Sequence, residues 1–198
     1  QKVKHILVTV PVEQRHIDLL KAAVPEAEFR FREFMEKEDV APEDVAWAEV
    51  ILGNVEPGQL NASEKLRWLQ TNSAGVEPYL KPGVLAENTV LTNATGAYGL
   101  AISEHMLGML LEIIKKLELY RDAQKQGSWN SLGRVTSVYG STVLVLGMGD
   151  IGGEFGMRCK ALGARVLGVR RKNTEKPEYA DEVYLTEDLD RLLPQADV

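Results

Sequence analysis

The sequence predicts an α/β protein with parallel strands, and three observations carry that reading. Short apolar, β-branched runs alternate with helical stretches along the chain, the order of a layered parallel sheet. The run Thr142–Leu146 has the composition of a strand buried on both faces. Directly after it Gly147, Gly149 and Gly152 stand at GxGxxG spacing, and Ile151, Phe155, Cys159 and Leu162 then recur at helical intervals.

Strand, tight turn and helix in this order predict a dinucleotide-binding unit, with a merely structural glycine turn as the other reading. Gly147 lets the chain turn sharply, Gly149 lets bare backbone approach a pyrophosphate, and Gly152 lets the helix pack close to the strand. The helix N-terminus then presents free N–H groups to the anion. Glycine-rich turns are common on their own; the flanking strand and helix make this one specific.

The next strand, Arg165 to Val169, ends where an adenine ribose would lie. NAD-selective domains usually place an acid there, to accept from the ribose 2′-OH. Here the chain reads Arg170, Arg171, Lys172. Three cations suit a 2′-phosphate, with a guanidinium offering a bidentate fork, so NADP(H) is the expected cofactor and NAD the alternative. A solvated basic loop without a ligand is the other reading of the same residues.

Composition sets limits. A net charge of −6 disfavours a nucleic-acid partner. No apolar run is long enough to span a bilayer, and the first, Ile6 to Val10, is strand-length rather than a signal peptide. Cys159 is the single cysteine and cannot form an internal disulfide; a reduced core thiol and a cytoplasmic setting are expected. No metal site is expected. A full doubly wound domain has six strands, yet its first strand starts here only at Thr142, and the chain begins with Gln1 rather than Met. The expectation is part of a longer protein, with residues 193–198 opening a further strand.

In order, Lys4 to Val10 predicts a strand and Val12 to Ala23 an amphipathic helix. Glu28 to Phe34 predicts a surface strand. The acids Glu36, Glu38, Asp39, Glu43 and Asp44 are expected in a solvated loop and helix. Short strands follow at Val50–Leu52, Leu66–Leu69 and Val90–Leu91. Thr71 to Val76 lies at a strand's carboxyl end, where backbone N–H groups can receive an anion or simply form a turn. One long helix is expected from about Tyr98 to Gln124, carrying His105, which reads as a structural histidine. Trp129, Leu132, Val135 and Tyr139 on the Gly127–Gly140 loop should cover the body or reach a second subunit. A third strand at Asp181–Leu185 precedes Thr186, read as the N-cap of a short helix ending before Pro194.

With these pieces in place the chain resembles the D-isomer-specific 2-hydroxyacid dehydrogenases, the phosphoglycerate dehydrogenase-like family. The residues that carry the resemblance are Leu69-Gln-Thr-Asn-Ser-Ala-Gly-Val76, Asn93-Ala-Thr-Gly96, Ile102-Ser-Glu-His105, Gln126-Gly-Ser-Trp129 and Thr142 through Gly152. The resemblance implies a flavodoxin-like substrate domain over 1–96 followed by a partial Rossmann dinucleotide-binding domain over 97–198, with a hinge near Gly96. It implies that backbone at Ala74, Gly75 and Val76 holds a substrate carboxylate, and that Gly149, Asp150 and Ile151 line the pyrophosphate. Arg170 then occupies the usual acid's position, and Tyr98 is a candidate for the substrate's C3 substituent.

The implied activity is hydride transfer between NADP(H) and a 2-keto or D-2-hydroxy acid by a homodimer joined through the dinucleotide domain. Two alternatives stand beside it: a glyoxylate or hydroxypyruvate reductase, and a nicotinamide-sensing binding protein similar to the corepressors of this fold. The family's catalytic Arg, Glu and His fall after residue 198, and His5, His16 and His105 match none of those positions. No catalytic residue is therefore expected in this chain. Loss of general acid–base work alone costs roughly 10²–10⁴-fold, so the chain by itself is expected to be inactive.

Overall fold

The computed structural model describes residues 2–32 and 40–198, in two units, Gln1–Thr95 and Gly96–Val198. The expected continuation of the second strand to Phe34, and the acids Glu36, Glu38 and Asp39, lie outside the described residues.

In the first unit β1 (His5–Val8), β2 (Glu28–Phe31), β3 (Val50–Leu52), β4 (Trp68–Gln70) and β5 (Val90–Thr92) form one parallel sheet. Its order, β2-β1-β3-β4-β5, is the flavodoxin-like one. The two-residue period of the strands sends Leu7, Ile51 and Leu69 to one face, where Val45, Val55, Leu60 and Tyr79 bury them. Ile6, Val8 and Val50 face the other way, with Leu20 and Val24 of helix α1 (Gln14–Ala23) and its end. The helix starts at Gln14 rather than Val12. His16 Nδ1 accepts from the Glu13 N–H at 3.0 Å, which uses the histidine at the helix start.

Asp44 corrects the reading of the acidic stretch as wholly solvated. It sits in helix α2 (Pro42–Trp47) with its side chain only 3% exposed. Arg30 Nη1 donates to Oδ1 at 2.8 Å, Arg32 Nε to Oδ2 at 2.6 Å and Arg32 Nη2 to Oδ1 at 2.8 Å. The Arg32 guanidinium, opposed by burial and aided by Arg30, holds the carboxyl below its usual range. A depressed folded-state pKa means stability that is present above the ordinary carboxylate range and lost as pH falls through the lowered value. Asp44→Asn should therefore cost about 1–3 kcal/mol at neutral pH, since both guanidiniums are partly exposed and resolvate. The difference from wild type should shrink on acidification, as denaturant melts between pH 7 and pH 3 would show.

In the second unit β6 (Thr142–Leu146), β7 (Arg165–Arg170) and β8 (Glu182–Leu185) are parallel and adjacent in that order. Asp197 and Val198 pair with β6: their N–H groups donate to Thr142 O, and Val198 O accepts from Leu144 N–H at 2.8 Å. The expected single long helix is two, α3 (Gly99–Ile114) and α4 (Leu117–Lys125). The break falls at Lys116, whose φ of +57° is left-handed. Tertiary contacts favour it: Lys115 Nζ donates to Thr136 O at 2.6 Å and Lys116 Nζ to Leu132 O at 2.5 Å, tying the following loop to the helix end.

Helix α5 (Asp150–Ala161) buries Phe155 and Cys159 in the core below β6 and β7. Burial pushes the Cys159 thiol up to about 11, so it is inert at neutral pH. Thr186 does not cap the last helix, α6 (Leu189–Leu192). Its Oγ1 donates to Arg170 O at 3.4 Å, and residues 186–188 form a 3-10 turn instead. No helix among the described residues is long and apolar enough to cross a membrane.

Candidate functional site

The glycine turn is built by clearance. Gly147 has φ +95°, a left-handed conformation suited to glycine. A Cβ on Gly152 would stand 2.2 Å from Gly147 O and 3.0 Å from Val145 Cγ1, so only glycine lets α5 seat against the turn. Gly149 has no heavy atom within 4 Å of its missing Cβ, which leaves its backbone open to a ligand. Asp150 opens α5, beside the N–H groups that the first turn of any helix leaves unpaired. Its carboxylate is turned off that end: Oδ2 accepts from the Gly96 N–H at 3.0 Å. Ile151 follows, half-buried.

Beside this turn lies a cleft of about 870 Å³ at the carboxyl ends of β6, β7 and β8, the usual ligand edge of a parallel sheet. Gly147, Gly149, Arg170, Arg171, Lys172 and Asn173 are among its walls, and no acid among the described residues lines it. Arg170 is fixed twice. Its Nε donates to Met148 O at 3.1 Å and its Nη1 to Asn173 Oδ1 at 3.2 Å, while Arg171 and Lys172 are exposed. Met148 and Asn173 do not stand out in the sequence, because their roles depend on strands that only folding brings side by side.

In the first unit the loop 71–76 also lies at the carboxyl edge, between the ends of β3 and β5. Asn72 N–H donates to Asn54 Oδ1 at 3.2 Å, and Asn93 Nδ2 donates to Ala74 O at 2.8 Å. The N–H groups of Ala74, Gly75 and Val76 have no hydrogen-bond partner among the described residues. A Cβ on Gly75 would meet Glu77 Oε2 at 3.1 Å. Asn54 escapes the sequence reading. Its one signal is position, directly after Gly53, where a Cβ would collide with Thr9 Oγ1 at 2.1 Å.

The histidines stand elsewhere. His5 packs on Trp47 with ring centroids 4.7 Å apart, His16 serves the start of α1, and His105 is exposed on α3. Among the described residues no group of three or more His, Cys, Asp or Glu could hold a metal ion.

Residues 107–198 match the family model of the D-isomer specific 2-hydroxyacid dehydrogenase, NAD binding domain. A D-isomer specific 2-hydroxyacid dehydrogenase family protein of Aeromonas salmonicida subsp. salmonicida A449 superimposes with a TM-score of 0.80 at 32% identity, over 98% of this chain and 62% of that one. The chain matches the D-isomer-specific 2-hydroxyacid dehydrogenase family. The D-3-phosphoglycerate dehydrogenase of Methanocaldococcus jannaschii is 24% identical over 197 residues, 97% of this chain and 37% of its own length. An acyclic imino acid reductase solved with NADPH and D-Arg shares the fold, with a TM-score of 0.79 at 15% identity over 98% of this chain and 63% of that one. The chain thus spans less than two thirds of the length of each of these relatives. The α/β fold with its parallel sheets matches the architecture of the D-2-hydroxyacid dehydrogenases, and the glycine turn and basic cleft fall within the part matched as their NAD-binding domain.

Proposed function

We propose that the protein is an oxidoreductase that transfers hydride between NADP(H) and a small 2-keto or D-2-hydroxy acid. The first unit is its substrate domain and the second its dinucleotide-binding domain. The observation that carries the reading is the acid-free cleft beside the glycine turn, with Arg170 fixed at the end of β7. The open backbone of Gly149 and the first N–H groups of α5, at Asp150 and Ile151, receive the pyrophosphate, and Gly147 and Gly152 shape that cradle. Arg170, Arg171 and Lys172 receive the 2′-phosphate. Ala74, Gly75 and Val76 hold the substrate carboxylate with backbone N–H groups. Bound, the nicotinamide supplies or accepts the hydride. The residues of this chain bind and orient the two reactants, and none of its histidines stands among the groups that would hold them. A buried, inert Cys159 is consistent with a cytoplasmic setting.

The test is direct titration of the chain with NADPH and with NADH, followed by nicotinamide fluorescence. Saturable binding with NADPH at least tenfold tighter is expected. Binding of neither cofactor would remove the reading.

The partner we propose is a second copy of the chain. Met109, Ile113, Leu117 and Trp129 expose a run of apolar side chains on α3, α4 and the loop after them, with Trp129 wholly exposed. A neighbouring cleft of about 760 Å³ is lined by Leu117, Tyr120 and Gly127. Contiguous apolar surface of this kind marks an interface, and tryptophan is a frequent anchor. Trp129→Ser should weaken self-association by roughly tenfold or more in sedimentation velocity. A wild-type chain that stays monomeric at high concentration would count against the dimer.

A further inference from the structure

We infer that Asn93 is a positioning residue that aims the carboxylate-binding N–H groups of the 74–76 loop. The inference rests on the proposed carboxylate role of that loop. A trans peptide is planar, so each carbonyl points opposite to the N–H of the following residue. Fixing the Ser73, Ala74 and Gly75 carbonyls therefore fixes the N–H groups of Ala74, Gly75 and Val76.

All three carbonyls are engaged. Ser73 O accepts from the Ala94 N–H at 3.1 Å and from Thr71 Oγ1 at 2.9 Å. Ala74 O accepts from Asn93 Nδ2 at 2.8 Å, and Gly75 O from Ser73 Oγ at 3.0 Å. Local hydroxyls serve the outer two planes. The central plane depends on Asn93, which comes from the end of β5 and reaches across to the loop after β4. The Asn93 amide is itself oriented, because its Oδ1 accepts from the Thr95 N–H at 3.3 Å.

Every donor direction is thus set from behind, and the three N–H groups are left without partners among the described residues. That is a preorganised anion nest. Glu77, whose carboxylate lies beside Gly75, opposes an incoming anion and makes the affinity sensitive to how well the N–H groups are aimed.

Asn93→Asp keeps the size of the side chain but replaces the donor facing Ala74 O with an acceptor. The central plane is then repelled, and its N–H turns away from the nest. The experiment titrates pyruvate into the ¹⁵N-labelled chain and follows the Gly75 and Val76 amides, with methyl pyruvate as the uncharged control. Wild type should show saturable shifts with pyruvate and none with the ester. Asn93→Ala should raise the pyruvate Kd by roughly tenfold, and Asn93→Asp should abolish saturation. The amide shifts of β1, β3 and β4 in the same unit should stay as in wild type, which a loss of structure there would not allow. Should Asn93→Ala fail to give a folded spectrum, Asn93→Asp decides, because it keeps the size of the side chain and changes only the donor facing Ala74 O.

Absence of saturable shifts in wild type overturns the carboxylate reading and this inference with it. Wild-type binding that the Asn93 variants leave unchanged overturns the inference alone.

Discussion

Gly152→Ala is expected to lose dinucleotide binding and to melt well below wild type. The added methyl would lie 2.2 Å from Gly147 O, a backbone atom of the same turn, and 3.0 Å from Val145 Cγ1 on β6. No rotamer change relieves a contact with backbone, so α5 must lift from the sheet or the turn must open. Overpacking against side chains costs about 1–3 kcal/mol, and a backbone contact belongs at the top of that range or above it. For a unit of this size, about 3 kcal/mol lowers Tm by roughly 10–20 °C. Binding suffers separately, because a displaced α5 no longer presents its first N–H groups at the mouth of the turn. Gly156→Ala is the control on the same helix. Its Cβ would meet Val166 Cγ1 at 3.3 Å, with Tyr179 Cε2 and Met148 Cε in ordinary contact at 3.6 and 3.7 Å; all three are side chains that can shift slightly, so its fall in Tm should be a fraction of the other. Thermal melts by circular dichroism with parallel NADPH titrations check both. A Gly152→Ala chain that melts and binds as wild type does would remove the close-packing explanation of the turn.

The glycine turn was legible because residue type there is dictated locally, by a positive φ at Gly147 and by missing volume at Gly152. Strand positions were legible for a related reason, since β-branched runs buried on both faces have few alternatives. The parallel arrangement followed from alternation with helices. Misreadings arose where distant parts of the chain decide. Lys116 has good helix propensity, yet the loop carbonyls that Lys115 and Lys116 reach end the helix there. Asp44 belongs by composition to a solvated acidic stretch, but the two arginines that bury it lie 14 and 12 residues earlier in sequence. Thr186 has the chemistry of a cap, and the neighbouring β7 claims its hydroxyl. The same cause hid Asn54, Met148 and Asn173. Each acts across adjacent strand ends, and that adjacency is a property of the sheet order, not of any local spacing.

On the proposed NADP(H) reading, Arg170→Asp is expected to invert the cofactor preference, from NADPH to NADH. A 2′-phosphate is a multiply charged acceptor, and a guanidinium is the side chain best shaped to meet it. The Arg170 guanidinium is already oriented, with Nε on Met148 O at 3.1 Å and Nη1 on Asn173 Oδ1 at 3.2 Å, so little ordering entropy remains to be lost on binding. Arg171 and Lys172 are exposed and contribute through a field that salt screens. Removing a hydrogen bond to a charged group costs about 1.5–3 kcal/mol, and the new carboxylate adds repulsion against the phosphate. The same carboxylate can accept from the ribose 2′-OH of NADH. Together these should move the NADPH-to-NADH affinity ratio by roughly 100-fold or more, at tenfold per 1.4 kcal/mol. Stability should barely change, because the side chain is only half-buried at a strand end. Raising the ionic strength should narrow the wild-type preference, since screening weakens the contribution of Arg171 and Lys172 more than that of the oriented Arg170. Fluorescence titrations of both cofactors at two salt concentrations measure all of this. Equal affinity for the two cofactors in wild type, unmoved by Arg170→Asp, would leave the basic run as a solvated loop and the chain without a preference for NADP(H).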